Sequence, residues 1–143
     1  MNDETEHQGQ GDAETRPDAK AAAIQAVKRA VEQIERTWPR AEVVDAGHEL
    51  LARVLLQCGQ FSHAETVARE LIISIRKREG TLSPRLIDAT RLLAAAFDGQ
   101  GRKEDALAAL DIGMEVVTEL EKADAAFLAK AERIRRALWG DEC

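Results

Sequence analysis

The 143-residue sequence predicts an all-α fold of about six helices, and composition, apolar spacing and an internal repeat each point there. Apolar residues make up 45% of the chain, much of it Ala and Leu, while aromatics are 3% and Tyr is absent. Strands favour β-branched and aromatic side chains, and β-proteins need frequent turns. Only three Pro occur, and Gly sits at a few junctions. Such a composition favours helices packed closely through small side chains.

Apolar residues at intervals of three and four place the helices in order. In the first, Ile24, Val27, Val31, Ile34 and Trp38 share a face after Pro17 and Asp18 as start signals, and Trp38-Pro39 ends it. The second runs from about Val43 to Cys58 with Leu50, Leu51, Val54 and Leu55 inward, and Gly59 closes it. The third opens at Ser62, where Ser62 and Glu65 match a capping box. It carries Val67, Ala68, Leu71, Ile72 and Ile75, and ends in Arg76-Lys77-Arg78 before Gly80. The fourth takes Ser83 as cap and Pro84 in its first turn, holds Leu86, Leu92, Leu93 and Phe97, and stops near Gly99–Gly101. A fifth spans about Glu104 to Lys122 through Ala106, Leu110, Met114 and Val117. A sixth, from about Asp124 to Trp139, has Phe127, Ile134 and Leu138 in register.

The helices repeat. Leu50-Leu51-Ala52 recurs as Leu92-Leu93-Ala94, Leu55 as Phe97, Gly59 as Gly101, Ala64 as Ala106, Ala68 as Leu110 and Ile75 as Val117, each 42 residues on. A fixed period in that range marks a stacked helical array. The first helix matches the third at a shift of 41, pairing Val27 with Ala68, Val31 with Ile72 and Ile34 with Ile75. The expected organisation is a disordered acidic tail over residues 1–17 and a repeat domain over 18–139. That domain divides into a half repeat (18–40), two repeats (43–80 and 84–122) and a capping helix (124–139).

Leu50–Ala68 (LLARVLLQCGQFSHAETVA) resembles the tetratricopeptide repeat, and Leu92–Leu110 (LLAAAFDGQGRKEDALAAL) resembles it more closely. The long second helices and the Ser83-Pro84 entry are similar to the extended repeats of kinesin light chains. His48 and Thr90 stand where that family often has Trp, and Gly113 where it usually has Ala or a larger apolar residue. The resemblance implies a right-handed α-solenoid of antiparallel helix hairpins. It also implies a groove lined by the first helix of each pair, here Glu49, Arg53, Leu56 and Gln57 with Asp88, Arg91, Ala95 and Asp98. Two guanidinium groups on one wall, Arg53 and Arg91, would favour a carboxylate or carbonyl of a bound peptide. Glu49 and Arg53 are also spaced to pair with each other. Some members clamp acidic chaperone tails with Lys and Asn. The matching places here read Glu49, Arg53, Asp88 and Leu92, so the clamp is missing and no such partner is expected.

Charge excludes other classes. Residues 1–18 hold six acids against Arg16, a net of −5, which leaves the body at −1 of the total −6. That leading segment lacks large apolar residues beyond Met1 and cannot offset its ordering entropy. A neutral body with few aromatics offers nucleic acid no basic stripe. The Lys122–Arg136 cluster reads as a solvated cap face. No 18-residue apolar stretch and no basic-then-apolar start occurs, so neither a membrane span nor a signal peptide is expected. Cys58 and Cys143 make no disulfide framework, which suits a cytoplasmic protein. His48 and Cys58, ten residues apart on one helix, lie roughly 15 Å from each other, too far for one metal ion. Gly99–Gly101 lacks the strand and the Lys-Ser/Thr of a phosphate loop. The chain is expected to have no catalytic residues, metal or cofactor, and to bind another protein or peptide. The alternative is a self-associating structural or regulatory protein, a homo-oligomer without a peptide groove, with Trp38 and Trp139 near opposite ends.

Overall fold

The computed structural model describes the backbone of residues 2–140 and the side chains of residues 19–140. The expected disordered tail over 1–17 falls on residues whose side chains lie outside that description. Five α-helices follow one another: α1 (Asn2–Thr37), α2 (Ala41–Gln57), α3 (Phe61–Glu79), α4 (Arg85–Gly99) and α5 (Lys103–Trp139). No strand occurs among the described residues, and none of their helices is long and apolar enough to cross a membrane. Each helix packs on the next, α2 also touches α4, and among the described residues no contact between α1 and α4 or α5 closes the row.

The core forms in two connected regions. Ile24, Leu51, Leu55, Ala64 and Ala96 make one, and Leu71, Ile72, Ile75, Leu86, Leu93, Phe97 and Val116 dominate the other. Ala52, Ala64, Ala68, Ala89 and Ala96 are almost fully buried, so close helix approach rests on alanine. Gly59 and Gly101 take φ of 76° and 75° at the α2–α3 and α4–α5 reversals, a region where any Cβ is strained. Gly113 has a different reason. A Cβ there would lie 2.6 Å from the Thr90 hydroxyl, so the threonine on α4 and the glycine on α5 form one fitted pair.

Several expectations change. The expected fifth and sixth helices are a single element, α5, because Lys122-Ala123-Asp124-Ala125-Ala126 contains no Gly or Pro and consists mostly of good helix formers. The capping helix therefore does not fold back. Its stripe of Phe127, Ile134 and Leu138 stays exposed, and so do Leu110 and Met114 of the preceding half. Leu50 is exposed because the buried face of α2 centres on Asp45, Leu51, Ala52 and Leu55, and Trp38, just past the end of α1, is exposed too. The capping box does not form: α3 begins at Phe61 without a side-chain cap, and Glu65 turns to Arg69, Gln100 and Arg102 instead. Pro84, not Ser83, is the N-cap of α4, and Ser83 just before it accepts the Arg85 backbone N–H at 3.2 Å.

Candidate functional site

The surface that asks for an explanation lies on α4 and α5. On α3, Ala68, Ile72 and Ile75 are buried and share one core region with α4 residues Leu86, Ala89, Leu93 and Phe97. Their counterparts 42 residues later are Leu110, Met114 and Val117 on α5. Among the described residues no helix covers that face: Leu107 is 61%, Leu110 41% and Met114 62% exposed. A groove of about 530 Å³ results, lined by Ala94, Ala95, Ala106, Leu107 and Leu110, with Arg91, Asp98 and Lys103 as its charged members. Beyond it, the carboxyl-terminal half of α5 carries a second apolar face, concave around Phe127, Ala131, Ile134 and Leu138. Phe127 and Leu138 are 70% and 69% exposed. Removing such side chains from water is favourable at roughly 25 cal/mol per Å², so both faces favour helix burial.

The six residues expected to line a peptide groove divide. Arg53 meets Glu49 at 2.6 Å and Arg91 meets Asp88 at 3.5 Å, so each guanidinium pairs along its own helix. Gln57 is exposed at the last position of α2. Arg91 and Asp98 line the α4–α5 groove, whereas Glu49, Arg53 and Gln57 do not.

Two polar clusters set the spacing of the row. Asp45, fully buried on α2, is bonded by Arg78, by Ser74 at 3.1 Å and by Arg85 at 3.3 Å. Arg78 also donates to Ser74, and Arg85 pairs with Glu79 at 3.0 Å. One carboxylate thus ties α2, α3 and the start of α4. Sequence reasoning missed it, although Asp45 precedes inward-facing Ala52 and Leu55 by seven and ten residues, which is helical spacing. The second cluster surrounds Glu65, which accepts from Gln100, Arg69 and Arg102, each at 2.9 Å. The Gln100 hydrogen bond, with help from the two arginines, holds the Glu65 carboxyl below its usual range against the opposing effect of burial. Arg102 and Arg69 also lie over the Phe97 ring, 4.6 and 5.3 Å from its centre.

His48 approaches Glu35 at 3.6 Å and its Nδ1 is buried without a partner. No cluster of three or more His, Cys, Asp or Glu suited to a metal occurs among the described residues. Comparison of the chain with protein-family models, curated proteins and solved structures gives no significant match.

Proposed function

We propose that the chain is a protein-binding module of the helical-repeat, tetratricopeptide-like kind, a right-handed solenoid that performs no catalysis. In this reading its binding element is the groove between α4 and α5, and what it takes is an amphipathic helix. One observation carries the proposal. Leu107, Leu110 and Met114 stand bare on a face whose counterpart on α3 is buried in a shared core with α4. The resemblance of Leu50–Ala68 and Leu92–Leu110 to tetratricopeptide repeats supports the repeat reading. The open row of neighbouring helices supports it too. Residence in the cytoplasm belongs to the same reading, supported by the free, half-buried thiol of Cys58.

The test is binding of a library of amphipathic helical peptides to the full chain and to two variants. Leu110→Glu places a charge in the α4–α5 groove, and Arg53→Glu reverses the arginine of the first-helix wall that lies outside that groove. Loss of peptide binding in Leu110→Glu, with near-normal binding in Arg53→Glu, is the expected pattern. The opposite pattern would move the site to the wall holding Arg53.

A further inference from the structure

We infer that the occupant of the α4–α5 groove is the carboxyl-terminal half of α5 from a second copy of this chain. The two copies exchange these segments reciprocally. The inference rests on the docking reading above and deepens it.

The internal repeat supplies the argument. Continued by another 42 residues, it sets Leu128, Ala131, Leu138 and Trp139 where α4 has Leu86, Ala89, Ala96 and Phe97, all buried. Residues 127–139 thus carry the pattern of the helix that covers α3, and the face awaiting cover is on α5. The Asp45 cluster sharpens the correspondence. Asp45, Ser74, Arg78 and Arg85 map onto Ile87, Val116, Leu120 and Phe127. Asp45 and the three polar residues bonded to it in one repeat become four apolar ones in the next. Ile87, Val116 and Leu120 already pack together in the core region, and Phe127 alone is left in solvent. A seated helix would bring Phe127 to them as α4 brings Arg85 to Asp45. Outward positions agree as well. Thr90, against Gly113, and Ala94, lining the groove, both face α5, and their counterparts Glu132 and Arg136 are charged, as suits positions turned away from the seat. Arg135 in place of Leu93 is the exception.

A second copy is favoured over the chain's own segment because of the connection. The α3–α4 linker, Gly80-Thr81-Leu82-Ser83-Pro84, reverses the chain with Gly80 at a φ of 88°. Its counterpart is Lys122-Ala123-Asp124-Ala125-Ala126, which is continuous helix and carries residues 127–139 away from their own groove. Helix running through a hinge converts a fold-back into an exchange between copies. Area is sufficient. Leu107, Leu110, Met114, Phe127, Leu128, Ile134 and Leu138 are 41% to 70% exposed. At about 100 Å² each over two symmetric seats, they bury roughly 1,400 Å², within the range of stable interfaces.

Size exclusion with light scattering on the full chain tests this. A dimer at micromolar concentration is expected. Phe127→Glu with Leu138→Glu, and separately Leu110→Glu, should each yield helical monomers by circular dichroism. Mixing those two monomers should restore a heterodimer, because one intact segment and one intact groove remain. Lys122→Gly with Ala126→Pro reinstates the linker chemistry and should give a monomer whose apolar faces no longer bind a hydrophobic dye. A wild-type monomer overturns the inference, and so does a dimer indifferent to Leu110→Glu and Phe127→Glu. If such a monomer still binds amphipathic peptides through Leu110, the docking reading stands and only the second copy is refuted. If it binds none, both fall.

Discussion

Asp45 offers a strict test of how the row is held together. Replacing it with Ala removes the α2 carboxylate that Arg78 and Arg85 share and leaves the two guanidinium groups without that partner. Breaking a buried ion pair from one side costs about 3–5 kcal/mol, most of it the desolvation of the charge left behind. Here the Arg78 and Arg85 side chains are 31% and 34% exposed, so the released cations regain part of their hydration and Arg85 keeps Glu79. The expected loss is therefore smaller, ~2–3 kcal/mol, the range left when the abandoned partners rehydrate in part. For a chain of this size that lowers the thermal midpoint by roughly 6–9 °C. Urea and thermal unfolding followed by circular dichroism would measure it, at matched protein concentration because association shifts apparent stability. A companion variant carries Asp45→Ile, Arg78→Leu and Arg85→Phe, the residues that the next repeat uses at the same places. Apolar replacement of a whole buried ion cluster is often neutral or stabilising, so this triple variant should recover to within ~1 kcal/mol of the parent. A loss under ~0.5 kcal/mol for Asp45→Ala would refute the clamp, being no more than an exposed pair provides. A triple variant worse than the single one would refute the equivalence of the two repeats.

Further outcomes follow from the same contacts. Gly113→Val should cost about 1–3 kcal/mol, since the new side chain meets the Thr90 hydroxyl; Thr90→Gly in the same chain should recover part of the loss in urea unfolding. Gly101→Ala should cost roughly 1 kcal/mol from strain at positive φ, with helical content by circular dichroism unchanged. Glu65 has its folded pKa depressed, so its contribution is present above the unfolded value and is lost as pH falls through the folded one. Acid titration of the thermal midpoint should accordingly show a steeper fall for the parent chain than for Glu65→Gln.

Much of the fold was legible in the chain. Three- and four-residue spacing located helices and the reversals at Gly59 and Gly101, because these signals are local: a period along one helix, a positive φ, a missing Cβ. Period 42 was also visible, since equivalent positions carry like residues wherever like neighbours surround them. The site was harder to read. Glu49, Arg53, Asp88 and Arg91 were assigned to a groove by likeness of position, and their side chains pair within their own helices.

Tertiary structure decided what periodicity leaves open, namely which apolar stripe finds a partner. Phe127, Ile134 and Leu138 have the same spacing as a buried stripe, yet burial depends on whether another helix lies opposite, and spacing carries no information about that. It likewise decided that Asp45, an acid within an otherwise apolar face, meets Arg78 and Arg85 from two further helices. Local sequence specifies which way a side chain points along its own helix. Only the packed chain specifies what stands across from it, and a buried charge or a bare leucine takes its energy from that opposite surface.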